Sequence, residues 1–330
     1  MKKKVLVKLL ILFGSLSACF SIFEIYLRVN SFIPNFPVPP YLFSSHSVAW
    51  WTLTPNFAGE MTTADGIVEY RTNSMGIRAS RKYSNARENG KRIFIIGDSF
   101  TFGIGVNIDN TFSYMLNDMG PDSAAVINLG VPGYGTMQSY HRLLETAEKL
   151  GLPDQLLYVF CPNDPVDNLS GKKVVVDGIR IDSSKKFKIL LSKIGHLYYR
   201  SRVLAFLLDR VYVVLFNPRF NTRDKLRKSP VNVETRKDFL ATKKYIGMMN
   251  EWAIAGNVNF MISTTGESEY SIPLEKFLSE INVPLLKGQD VFGDAQDISL
   301  QEGHWNRKGH RMYAEALERF LGAQQENGEW

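Results

Sequence analysis

The chain has 330 residues, 45% apolar and 22% charged, a composition too rich in hydrophobes for disorder and long enough for a substantial core. Its net charge of +6 does not mark a nucleic-acid binder: Lys2, Lys3, Lys4, Lys8 and Arg28 against Glu24 place +4 in the first 28 residues and leave +2 for all the rest. Two cysteines, Cys19 and Cys161, are too few for a disulfide framework, and no redox or metal chemistry and no cofactor is indicated.

After the Met-Lys-Lys-Lys start, residues 5–27 are apolar apart from Lys8, Glu24 and a few hydroxyl residues, about one bilayer span. Basic residues stay on the cytoplasmic side, so residues 1–28 read as a signal anchor crossing the bacterial inner membrane once, with the rest of the chain on the extracytoplasmic side. Leu16-Ser17-Ala18-Cys19 also fits a lipoprotein cleavage box, but residues 20–27 continue the apolar helix where a lipoprotein would turn polar. Residues 29–67, with Pro34, Pro37, Pro39, Pro40 and Pro55, read as an extended spacer.

A domain is expected over 68–330. Its periodicity predicts a strand over 92–96, a helix over 111–119, a strand over 124–129 and a helix over 136–150. A strand over 155–161, a helix over 234–255, a strand over 258–263, a short helix over 274–279 and a final helix capped at Asn306 follow. This alternation predicts an α/β fold with a mainly parallel sheet covered on both faces. Residues 170–233 break the alternation with a hairpin over 174–181 and an apolar region over 187–216 carrying Lys188, Lys193, Arg200, Arg202 and Arg210. They read as an insertion whose helices either cap the domain, meet a membrane-protein partner through 186–216, or rest on the membrane surface.

Active sites in such folds lie beyond the carboxyl ends of the strands, and each strand-end loop here carries a polar cluster. In Gly97-Asp98-Ser99-Phe100, a serine at a tight strand-to-helix turn presents its hydroxyl as a nucleophile would, although Asp98 and Ser99 can equally act as helix caps. The glycine-rich turn Asn128-Leu129-Gly130-Val131-Pro132-Gly133-Tyr134-Gly135 can offer the Gly130 N–H to an anion, although glycine turns between strand and helix are commonplace. Asn163 of Pro162-Asn163-Asp164 can donate from its amide, or form an Asx turn. In Glu302-Gly303-His304-Trp305-Asn306, His304 can deprotonate a serine near neutral pH, and a nearby carboxylate would hold its ring. The force of the reading lies in the conjunction: serine, glycine amide, asparagine amide and histidine occur in order, one per loop.

These blocks resemble those of the SGNH, or GDSL, hydrolases: Ser99 matches the first block, Gly130 the second, Asn163 the third and His304 the last. Asn73-Ser74-Met75-Gly76-Ile77-Arg78 and Glu24-Ile25-Tyr26-Leu27-Arg28 are similar to stretches of the membrane-anchored bacterial branch. The resemblance implies a flavodoxin-like three-layer α/β/α domain and ester chemistry, with the Ser99 amide, the Gly130 amide and the Asn163 side chain as oxyanion donors and Asp98 in support. It also implies two departures. Gln301 stands where the family places the triad aspartate, which makes Glu302 the expected acid, with Asp297 and Asp294 as alternatives. Cys161 stands where a glycine is usual and is expected to pack in the core. His310 is expected to have a structural role, and Arg78 to tie the N-terminal segment to the domain.

The resulting expectation is an SGNH-type serine esterase that removes an acyl group, expected to be acetyl, from an envelope or exported glycan through an acyl-Ser99 intermediate. The substrate would be an acylated polysaccharide or a peptidoglycan-like polymer. Two alternatives stay open: an O-acyltransferase using the same triad with a sugar hydroxyl as acceptor, and a non-catalytic glycan-binding or assembly protein on the same fold.

Overall fold

The computed structural model describes residues 2–30, 39, 41–63, 66–79, 91–119, 125–169, 173–176, 179–182, 197, 200–216, 232–293, 295–300 and 303–326. It opens with helix α1 (Lys2–Val29), which contains one stretch, Lys4–Val29, long and apolar enough to cross a membrane, exposed along most of its length and buried at Leu27 near its end.

Two antiparallel hairpins follow, β1 (Phe43–His46) with β2 (Trp50–Leu53), and β3 (Ala58–Thr63) with β4 (Gly66–Arg71). The expected spacer over 29–67 is therefore corrected: from residue 41 onward the described residues are folded onto the domain, and a boundary at 68 would cut through the β3–β4 hairpin. The physical reason is the aromatic and aliphatic content between the prolines. Leu42, Phe43, Trp51, Leu53, Val68 and Tyr70 are buried together with Phe102, Ile104, Val131 and Tyr134 of the domain, and surface of that size is not left in water.

The central sheet has five parallel strands. β5 (Arg92–Gly97) runs into the short helix α2 (Ser99–Phe102) and then α3 (Phe112–Met119). β6 (Ala125–Asn128) leads to α4 (Thr136–Leu150), and β7 (Gln155–Phe160) to α5 (Asp164–Leu169). The hairpin β8 (Lys173–Val176) and β9 (Ile179–Asp182), then α6 (Arg202–Phe216), belong to the expected insertion; the rest of the helical region predicted over 187–216 lies outside the described residues apart from 197, 200 and 201. α7 (Lys237–Gly256), β10 (Asn259–Thr264), α8 (Ser271–Glu280), β11 (Leu285–Leu286), α9 (Gly288–Phe292) and α10 (Arg307–Glu326) complete the chain order.

The strands lie in the order β6-β5-β7-β10-β11, all parallel, which is the flavodoxin-like order 2-1-3-4-5. Both faces of the sheet are covered. Phe94 and Ile96 of β5, and Leu156, Tyr158 and Phe160 of β7, pack against α4, α7 and α8 on one face. Ile93, Ile95, Leu157 and Val159 pack against α3 and α10 on the other. Strands buried on both sides read as unbroken apolar runs, as Arg92–Gly97 and Gln155–Phe160 do. The chain leaves β5 toward β6 on one side and returns to β7 on the other, so the crevice of this sheet opens at the carboxyl end of β5.

Candidate active site

The turn after β5 is held closed by its own composition. A Cβ on Gly97 would overlap Thr101 Oγ1 and lie 2.9 Å from Val159 O. Asp98, buried, caps α2 by accepting from the Phe100 N–H at 2.9 Å. Ser99 then heads the short helix, half-buried, with its Oγ 3.5 Å from Asp98 Oδ2. Its N–H has no partner among the described residues.

His304 comes to this point from the far end of the chain. Its Nε2 lies 2.8 Å from Ser99 Oγ. The loop that carries it is pinned by a bridge between Ser299 and Trp305, by Leu300 N–H donating to His304 O at 2.7 Å, and by Asn306 N–H donating to Ile298 O at 2.9 Å. Buried Trp305 plugs the loop into the face under α10, edge-on to Phe100 with ring centres 4.9 Å apart. Burial pushes the His304 ring down to about 4, so it stands as a neutral base.

The other ring nitrogen, Nδ1, is buried with no partner among the described residues. Glu302, expected as the triad acid, lies outside the described residues, as do Gln301 and Asp294. Asp297 is exposed and accepts from the Asn306 side chain through its backbone oxygen, 2.8 Å, with no bond from its carboxylate to the histidine.

The second loop is bound tightly to the first. A Cβ on Gly130 would overlap Phe102 N and lie 2.7 Å from Thr101 Cβ, so only glycine lets the β6 loop rest against α2. The Gly130 N–H donates to Asn128 Oδ1 at 2.9 Å, an Asx turn, and Asn128 Nδ2 donates to Thr101 O and Ser113 Oγ at 2.6 and 2.8 Å. The expected oxyanion donor is thus engaged within its own loop in this state, and an incoming oxygen would have to share it or displace Asn128. In the sequence Asn128 stands as the first residue of this turn without a role assigned to it, although its position two residues before the glycine is the Asx signal.

Asn163 sits on the opposite side of the turn. Its Nδ2 donates to Asp167 Oδ2 at 2.8 Å and lies 3.4 Å from Asp98 Oδ2, and its Oδ1 accepts from the Cys161 thiol. Cys161 is buried, and burial pushes its thiol well above the ordinary range, consistent with a packed, protonated donor. Behind it, Asp164 Oδ2 accepts from Tyr158 Oη at 2.6 Å and from the Cys161 N–H at 3.0 Å. Burial raises the proton affinity of both Asp98 and Asp164, and Asp164 is raised further by the Asp98 charge. Asp167 and Asp164 are polar supports that sequence reasoning missed, because an Asn-Asp helix start looks the same with or without a site above it.

Arg78 and His310 have structural surroundings. Arg78 is buried between the rings of Tyr70 and Phe102, 4.8 and 4.7 Å from their centres. It donates to Phe102 O, Gly103 O and Val106 O at 2.6 Å each, so it fastens the loop after α2 to the N-terminal hairpins. His310 is buried, stacks on Phe112 and accepts from the Phe112 N–H at 3.3 Å. No group of three or more histidine, cysteine, aspartate or glutamate side chains suited to a metal occurs among the described residues.

No family model and no curated protein matches the chain. Solved structures similar to it include the esterase EstA from Pseudoalteromonas sp., 12% identical with a TM-score of 0.44, covering 72% of this chain and 99% of that one. A G-D-S-L family lipolytic protein from Veillonella parvula is 13% identical with a TM-score of 0.41 over 69% of this chain and 96% of that one. A carbohydrate acetylesterase family member from Sinorhizobium meliloti is 14% identical with a TM-score of 0.37 over 70% and 97%. The likeness is distant, and the chemistry of the site rests on its own geometry.

Proposed function

We propose that this protein is a serine esterase of the SGNH type. The observation that carries the reading is the 2.8 Å contact between Ser99 Oγ and His304 Nε2 at the carboxyl end of β5, where the sheet order opens a crevice. Ser99 Oγ attacks the acyl carbon while His304 takes its proton, and the carbonyl oxygen becomes the oxyanion of a tetrahedral intermediate. Collapse expels the alcohol, protonated by His304, and leaves acyl-Ser99. Water, deprotonated by His304, then releases the acid.

The Ser99 N–H, the Gly130 N–H and Asn163 Nδ2 are the donors we assign to the oxyanion, the Gly130 N–H on parting from Asn128 and Asn163 Nδ2 on turning from Asp167 and Asp98. A preorganised donor of this kind contributes about 3 to 4 kcal/mol to the transition state. Glu302 is the carboxylate we assign to Nδ1 of His304, a buried nitrogen with no partner among the described residues, since buried polar groups are normally hydrogen-bonded.

The substrate we propose is an acyl, and specifically acetyl, ester on an envelope or exported glycan. The support is positional: three lysines precede an apolar helix long enough to span, the pattern of an anchor whose following domain faces away from the cytoplasm. If a sugar hydroxyl replaces water at the second step, the same residues perform O-acyl transfer.

Intact-mass analysis of the detergent-solubilised protein after exposure to a fluorophosphonate tests for the activated serine that the hydrolase and transferase readings share and the non-catalytic reading lacks. One adduct on the wild type, lost in Ser99→Ala and His304→Ala, is expected. A folded wild type that takes no adduct would sink the catalytic proposal.

A further inference from the structure

The Glu24 and Arg28 pair of α1 has a task apart from the esterase site. Both oxygens of Glu24 are used on the start of α6: Arg202 N–H donates to Oε1, and Val203 N–H and Ser201 Oγ donate to Oε2, each at 2.9 Å. Arg28 binds Glu24 Oε1 through Nε at 2.8 Å and reaches Arg200 O through Nη2, also at 2.8 Å. Phe23 meets Phe206 edge-on at 5.5 Å, and Val203 and Ala205 are buried. A carboxylate from one helix therefore caps another that is far away in sequence, satisfying N–H groups that an isolated helix start leaves open.

Where this clamp sits is set by the length of α1. Residues 5–27 rise about 34 Å at 1.5 Å per residue, roughly one hydrocarbon thickness, and Glu24 lies within the last turn of that stretch. The clamp is thus at the water–lipid boundary on the side of the domain. Farther down α1, Leu16, Phe20 and Ile22 are 61%, 48% and 68% exposed, so α6 meets the end of the anchor and does not fold back along it.

α6 itself has 15 residues, of which only Arg202, Asp209 and Arg210 are charged. It rises about 22 Å, too short to cross a core of roughly 30 Å, and it leaves Leu207 51% exposed. An apolar helix pinned at the boundary, unable to span and carrying arginines, matches the headgroup and acyl-chain interface of a bilayer.

We propose that α6 is a second membrane contact, lying in the interface of the leaflet nearest the domain, with Glu24 and Arg28 fixing it to the anchor. Two contacts hold the domain at one orientation where a single helix would let it swivel. This inference rests on the reading of α1 as a membrane anchor.

The test uses the full-length protein in nanodiscs of phosphatidylethanolamine and phosphatidylglycerol, in a Cys19→Ser background, with a nitroxide attached at Leu207→Cys, Leu12→Cys or Ile272→Cys. Collision with oxygen, which favours lipid, is compared with collision with a water-soluble nickel chelate. The expected oxygen-to-nickel ratio at position 207 is several-fold above that at the solvent-exposed Ile272 position, and lower than at position 12, marking a shallow lipid site. A ratio at 207 equal to that at 272, with 12 in lipid, overturns the role of α6 and leaves the anchor standing. A label at 207 shielded from both reagents also overturns it, in favour of a protein partner or a second copy. A label at 12 in water overturns the anchor reading itself. Adding Glu24→Gln is expected to lower the ratio at 207 and leave 12 unchanged; an unchanged ratio at 207 overturns the clamp.

Discussion

His304 is neutral because burial pushes its ring down to about 4, and this places the pH dependence of the reaction on a single residue. Only the neutral ring accepts the Ser99 proton, so activity is lost as pH falls through the ring's own proton affinity. The acid limb of kcat/KM on a nitrophenyl acetate is therefore expected below the ordinary histidine value of about 6.5. A limb at or above that value would show that a carboxylate on Nδ1 outweighs burial. Glu302→Gln tests that carboxylate directly and should lower kcat by up to about 10⁴-fold, the loss seen when the aspartate of a Ser-His-Asp triad becomes an amide. Asp297→Asn should leave kcat within about twofold, because surface substitutions away from special features are usually near neutral and its carboxylate makes no bond to the ring. Equal activity of the Glu302 variant would move the acid elsewhere. Ser99 and Asn163 were recognisable in the sequence because each follows a strand at a polar turn, whereas the loop of His304 follows helix α9 and stood out only by its polar cluster before the last helix. The engagement of Gly130 by Asn128 was not, since a glycine-rich turn has the same composition whether its N–H is open or used.

Among the elements, α2 carries Ser99, the proposed nucleophile, with only four residues, and its position is imposed by its neighbours. On one side Gly130 rests against it so closely that a side chain would overlap Phe102 N. Gly130→Ala is expected to push α2 and slow fluorophosphonate acylation of Ser99 by about 10²-fold, the penalty for roughly 1 Å of misplacement; an unchanged acylation rate would show that the loop yields instead. On the other side Arg78 holds three carbonyl oxygens just beyond α2. Arg78→Met keeps much of the volume but leaves those oxygens unpaired in the interior, and should reduce unfolding free energy by about 3 kcal/mol, read as a lowered denaturation midpoint. The short β1–β4 strands went unrecognised because each runs only four to six residues, where the periodicity is too brief to register, and the prolines just before them suggested a spacer. What reveals them is burial of Trp51 and Tyr70 against the domain.

For the molecule as a whole, acid stability is set by buried groups of opposite tendency. His310 is buried, and burial, then Arg78 and His304, push its ring down to about 3. Its folded affinity for protons lies below the unfolded value near 6.5, so the unfolded chain takes up the proton first and stability falls as pH drops from about 6.5 toward 3, by roughly 1.4 kcal/mol per pH unit for one group. Asp98 works in the other sense: burial raises its affinity, so the folded state holds the proton longer and stability falls as pH rises above the unfolded carboxylate value. His310→Asn retains an acceptor for the Phe112 N–H and should flatten the pH 4 to 6.5 slope by about one proton, measured by denaturant unfolding across that window; an unaltered slope would place the dependence on His304 or the carboxylates. By itself the sequence determined the apolar N-terminal helix, the alternation of strands and helices, the insertion hairpin and the polar residues at the strand ends. These are set by neighbours within a few positions, through periodicity, turn chemistry and hydropathy. The tertiary structure alone decided the strand order, the docking of the N-terminal hairpins, the clamp of Glu24 on α6 and the approach of His304 to Ser99 across 205 positions of chain. Those depend on which buried faces fit together, a property of packing in three dimensions that no local run of residues encodes.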